Sequence, residues 1–110
     1  MRLSFARAGG FANTRLTAEA DTDARSLVFG SSRSSRPLTQ DEADSIHELF
    51  NRSRFFNIRS ELKPATGADR FEYVLTAEVD GKTHTIQISE SGVPTELEEL
   101  IRFMTRLSLG

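Results

Sequence analysis

"FEYVLTAEVDGKTHTIQIS", residues 71–89, consists of two alternating runs joined by Asp80-Gly81. Phe71, Tyr73, Leu75, Ala77 and Val79 alternate with Glu72, Val74, Thr76 and Glu78, the period of a strand with one buried face. Asp-Gly accepts the positive φ angles of a tight hairpin turn at little cost. A two-residue turn then sets the register: Val79 faces Lys82, Ala77 faces His84, Leu75 faces Ile86 and Tyr73 faces Ile88. One face of the hairpin is apolar, and the other carries Thr83, Thr85, Gln87 and Ser89. Such a sheet needs a cover, and the flanking sequence supplies two helices.

Downstream, Gly92-Val93-Pro94 leads into the second helix, with Pro94 suited to the first helical position. Leu97, Leu100, Ile101, Met104 and Leu107 form its apolar stripe. Glu96, Glu98 and Glu99 crowd the first turns and Arg102 and Arg106 come later, which matches the helix dipole. Upstream, Thr39 followed by Glu42 has the spacing of a capping box, and Ala43, Ile46, Leu49 and Phe50 make one apolar face. Phe55, Phe56 and Ile58 are then expected to plug the edge of the core. Residues 59–70, "RSELKPATGADR", read as a long loop marked by Pro64 and Gly67. Loops of this length inside compact domains are more often functional or disordered than neutral.

Further toward the amino terminus a second hairpin is expected. Met1, Leu3 and Phe5 alternate with Arg2 and Ser4, and Leu16, Ala18 and Ala20 alternate with Arg15, Thr17, Glu19 and Asp21. Gly9-Gly10-Phe11-Ala12-Asn13 connects them, rich in the residues that reach positive φ most cheaply. Residues 22–37, "TDARSLVFGSSRSSRP", read as a polar connector with a short apolar island at Leu27-Val28-Phe29 and a mobile "SSRSSRP".

The expected fold is α+β in the order β-β-α-β-β-α. A four-stranded, largely antiparallel sheet carries both helices packed on one face, in a single domain over residues 1–110. Following the chain ends through that packing brings the 9–13 turn, the 59–70 loop and the 89–93 connection to one rim.

Composition narrows the function. At 110 residues the chain makes one domain with one modest core. The net charge of −2 comes from 14 basic and 16 acidic side chains, well mixed. With no basic stripe, one tyrosine and no tryptophan, nucleic-acid binding is not expected. The absence of cysteine excludes a disulfide scaffold, a thiol nucleophile and a cysteine-ligated metal. No apolar run approaches the roughly 18 residues of a membrane helix. "MRLSFARAGG" is no secretion signal, since Arg7 and the glycines interrupt it, so the expected location is the cytoplasm and Asn51-Arg52-Ser53 carries no weight as a glycosylation site. Nothing demands a dimer, and a monomer is expected.

Catalytic patterns are scarce. "HELFN", residues 47–51, begins like a zinc-protease helix, but the second histidine that would grip the metal is Asn51. His84, the other histidine, falls on the apolar side of a strand. No glycine-rich loop opens a helix with phosphate-binding spacing, and the serines lack a histidine-carboxylate partner pattern. No cofactor, no metal of its own and no enzymatic activity are expected. Asp41, Glu42 and Asp44 have a structural reason for opening a helix. Two residues resist so plain a reading. Phe11 sits at a hairpin tip, where a large apolar side chain gains little unless something covers it. Asp69 lies beside Gly67 at the mouth of the 71–79 strand. Each has a local alternative: Phe11 can fold back onto the core, and Asp69 can bond its own turn.

The short first strand with "GGFA", "FF" after a helix, "GADRFEY", the hairpin ending "HTIQISE" and "VP" opening the last helix together resemble the emfourin family. These are small bacterial protein inhibitors of thermolysin-like zinc metalloproteases of the protealysin type. The similarity covers nearly the whole chain, with residues 26–36 the least family-like part. Asn13 departs from the glycine expected after "GGFA", although asparagine also tolerates positive φ. The resemblance implies inhibition by two neighbouring loops, one giving an aspartate to the enzyme's zinc and one giving apolar side chains to substrate subsites. On the rim reading, Asp69 takes the first role and Phe11 with Ala12 the second. The protease-binding set is then Gly9, Gly10, Phe11, Ala12, Asn13, Asp69 and Arg70. Asp21 and Asp23, beside Leu27-Val28-Phe29, are the rival carboxylates. A generic protein-interaction module without a protease target is the alternative function.

Overall fold

Asp80 and Gly81 stand at φ 51° and 79°, and the strands they join pair in the expected register. Tyr73 lies opposite Ile88, Leu75 opposite Ile86 and Ala77 opposite His84. The computed structural model describes residues 1–9, 14–62 and 71–110. Within these, the strands are β1 (Arg2–Gly9), β2 (Thr14–Asp21), β3 (Ser26–Phe29), β4 (Ser34–Pro37), β5 (Glu61–Leu62), β6 (Phe71–Val79) and β7 (Lys82–Ser89). The helices are α1 (Gln40–Ser53) and α2 (Thr95–Ser108), with single 3-10 turns at Phe55–Asn57 and Glu90–Gly92.

All seven described strands form one sheet, in the order β4-β3-β2-β1-β6-β7-β5. The first six are antiparallel neighbours, and the two-residue β5 joins β7 in parallel. The expectation of four strands is therefore corrected. Residues 22–37 are not a mobile connector: Ser26–Phe29 and Ser34–Pro37 add a hairpin to the free edge of β2. Its turn runs through Gly30 at φ 79° and Arg33 at φ 54°, without the Asn-Gly or Asp-Gly dipeptide that marks such turns in sequence. β4, "SSRP", has no apolar residue to alternate, so the period-two signal is missing. What holds it is backbone pairing and a paired Arg36–Glu42 contact, with N–O distances of 2.9 and 2.8 Å, onto the first turn of α1.

The two helices and one sheet face share a single core. Leu3, Phe5, Ala18, Ala20, Leu27, Leu75, Ala77, Ile86 and Ile88 point inward from the strands. Ala43, Ile46 and Phe50 from α1, and Leu97, Leu100, Ile101, Met104 and Leu107 from α2, meet them. The α1 cap forms as expected: Glu42 N–H donates to the Thr39 hydroxyl at 3.1 Å and Thr39 N–H donates to the Glu42 carboxylate at 2.9 Å. Pro94 is the N-cap of α2 rather than its first helical residue, one position from the expectation. After α1, Phe55 is buried and stacks on Phe50 at 5.2 Å, whereas Phe56 stays largely exposed, so only part of the expected plug enters the core. The opposite sheet face carries Glu72, Val74, Thr76 and Glu78, and neither α1 nor α2 among the described residues covers it.

Candidate functional site

β1 ends at Gly9, whose φ of 111° would strain any residue with a side chain. Gly9 lies between Thr14 on β2 and Phe71 on β6. Adjacent strands run about 4.8 Å apart, so the departing ends of β1, β2 and the start of β6 fall within about 10 Å. β5 pairs Leu62 with Ile88, itself opposite Tyr73, and therefore leaves the sheet toward the same end. β7 finishes there as well, followed by the Glu90–Gly92 turn. The sequence-expected site residues Gly10, Phe11, Ala12, Asn13, Asp69 and Arg70 lie outside the described residues; Gly9 alone among them is described. What the described strands establish is that segments 10–13 and 63–70 are both tethered at this end.

The roots of those segments carry residues that the sequence reading passed over. Register puts Arg7 on the inward row of β1 after Leu3 and Phe5, opposite Tyr73. Its guanidinium carbon lies 4.2 Å from the centre of the Phe71 ring, a cation–π contact. Tyr73 is buried beneath them, and its hydroxyl pKa is raised by that burial and by the Glu90 carboxylate, with Arg7 pulling the other way. The available signal was a charge in an otherwise apolar strand row.

At the opposite end the rival carboxylates are engaged in structure. Asp21 accepts backbone N–H bonds from Asp23 and Ala24, both at 3.0 Å, and faces Arg2 at 3.8 Å. The Met1 ammonium donates to the Asp23 carboxylate at 2.8 Å, which holds its pKa below the usual value. The Asp23 side chain is nonetheless 88% exposed. Of the neighbouring apolar island, Leu27 is fully buried and Phe29 packs against the core. A cleft of about 390 Å³ opens here, lined by Met1, Arg2, Asp21, Asp23, His47 and Asp80 among others. His47 thus has carboxylates nearby, but Asp21 and Asp23 hold a turn and the chain terminus. Thr22, the hydroxyl at that turn, is bonded to Met1.

His84 faces the apolar side, as expected. Its Nε2 lies 2.6 Å from the Ile58 carbonyl oxygen and donates to it, and its ring stacks on Phe56 at 5.9 Å. Among the described residues no group of three or more histidines and carboxylates could hold a metal ion. No helix among them is long and apolar enough to cross a membrane.

A family model described as Emfourin matches residues 5–105. The chain belongs to the emfourin family. This is a family of protease inhibitors, so membership points to a protease as the partner. The match runs through the 26–36 segment, the least family-like stretch in sequence. Neither curated proteins nor solved structures yielded a match.

Proposed function

We propose that this chain is a reversible protein inhibitor of a thermolysin-like, protealysin-type zinc metalloprotease. The observation that carries the reading is the register at the rim: Gly9 sits between Thr14 and Phe71, so the tethers of segments 10–13 and 63–70 are immediate neighbours. Two prongs from one rim suit a cleft that holds a metal and substrate subsites side by side. A catalytic zinc keeps one position open for water, and a carboxylate oxygen can occupy it at roughly 2.0–2.2 Å. Asp69 would take that position and displace the water that the protease must activate. Phe11, with Ala12, would fill a subsite shaped for an apolar substrate residue, adding on the order of 2 kcal/mol on full desolvation. Gly9 and Gly10 leave the backbone bare where it enters the cleft, and Asn13 and Arg70 flank the contact. The inhibitor acts as a monomer and brings no cofactor or metal. A tight complex of this kind buries roughly 1,200–2,000 Å² in total.

Asp23 supports a second placement of the same function, because its carboxylate is 88% exposed and ionised at the other end of the sheet. Against it, two of the three apolar residues that would accompany Asp23, Leu27 and Phe29, are packed into or against the core. Titration of a purified protealysin-type enzyme with the protein tests the reading: loss of peptide hydrolysis should be complete near one inhibitor per enzyme. Unchanged hydrolysis at stoichiometric excess overturns it and leaves the generic interaction module.

A further inference from the structure

We propose that Arg7 is a positioning residue: clamped over the Phe71 ring, it sets the spacing of the strand ends from which segments 10–13 and 63–70 depart. Its consequence for inhibition rests on the function proposed above; the clamp itself does not.

The reason lies in what Gly9 cannot do. Directly opposed side chains are the ordinary link between antiparallel strands. Phe71 is the first residue of β6, and its partner Gly9 has no side chain to give it. The φ of 111° at Gly9 forbids one without strain. The next inward residue of β1 is Arg7, diagonal to Phe71 and long enough to reach it. Its guanidinium carbon is 4.2 Å from the ring centre. The contact therefore replaces the missing cross-strand pair at the sheet end that carries both segments. Tyr73, opposite Arg7 and buried, closes the cluster from below. Leucine or methionine at position 7 would continue the apolar row but could not hold the ring face electrostatically, and lysine lacks the planar group that stacks on it.

Two readouts test the clamp. In the free protein, Arg7→Met and Phe71→Leu should each speed amide hydrogen exchange at Ala8, Gly9, Thr14 and Phe71 while leaving the Asp80-Gly81 end unchanged. Against a protealysin-type protease, each should raise the inhibition constant about three- to tenfold, the range expected for one cation–π contact. The double variant should be no worse than the weaker single, because both substitutions break one contact. Unchanged exchange at those four amides in Arg7→Met overturns the clamp, whatever the protease assay reads. Weaker inhibition by Arg7→Met alone, adding to no effect of Phe71→Leu, also overturns it and makes Arg7 a direct protease contact. If the parent does not inhibit, the inhibitor reading falls and the exchange experiment alone decides the clamp.

Discussion

The two ends of the sheet are built on opposite plans. At one, chain reversals are short and cross-linked: Asp80-Gly81 turns in two residues, Asp21 caps the β2–β3 turn, and Met1 is bonded to both Thr22 and Asp23. At the other, the strands end at Gly9, Thr14, Leu62 and Phe71, and four and eight residues of chain intervene before they resume. There, among the described residues, the Arg7–Phe71 cation–π contact adds a side-chain link to the backbone pairing of β1 and β6. The difference teaches that Asp21 and Asp23, at the first end, are engaged in holding the fold.

The largest expected effect discriminates between the ends. Asp69→Ala should weaken inhibition of a protealysin-type protease by about 30-fold to several thousand-fold, since losing one buried charged partner costs about 2–5 kcal/mol. Asp23→Ala should leave inhibition unchanged and lower the thermal midpoint slightly. The reverse pattern in the same inhibition assay would move the site to the other end of the sheet. Phe11→Ala comes next, with a loss of about 30-fold if the ring is fully desolvated in a subsite, corresponding to about 2 kcal/mol. A wild-type inhibition constant for that variant would mean that the ring folds back onto its own domain.

A smaller effect concerns stability, away from both ends. Hydrogen bonds from Arg36 first, and then from the Thr39 backbone, hold the Glu42 carboxyl at about 2 against an ordinary value of 4.5. A carboxyl depressed in the folded state stabilises it above the unfolded pKa and loses that contribution as pH falls through the folded one. Glu42→Gln should therefore cost about 1–2 kcal/mol at neutral pH, because the amide can still accept from the Thr39 N–H but loses the charge that strengthens that bond and the pair with Arg36. The deficit should shrink from about pH 4.5 downward and vanish near pH 2, measured by denaturant melts across that range. A deficit independent of pH would assign the cost to the α1 cap alone, without the ion pair to β4.

Legibility followed local chemistry. The 71–89 hairpin, the Thr39–Glu42 cap and both helix stripes are each specified within a few residues, by turn φ requirements, capping hydrogen bonds and apolar period. The β3–β4 hairpin was illegible because β4 offers no apolar alternation and its turn uses Arg33 in a left-handed conformation that arginine does not advertise. Asp69 and Phe11 could be nominated from sequence as an acid and an aromatic in loop settings. Arg7 was overlooked because its role depends on Phe71, far away along the chain.

By itself, the sequence determined both helices and the four strands β1, β2, β6 and β7, the register of one hairpin, and a family membership spread over nearly the whole chain. Those follow from interactions between residues close in sequence, whose geometry a turn or a helical repeat dictates. Only the tertiary structure decided the width of the sheet, the engagement of Asp21 and Asp23, and the meeting of Gly9, Thr14 and Phe71 at one end. Strand order is a long-range choice, made where a free edge finds a partner and a helix finds an apolar face to cover.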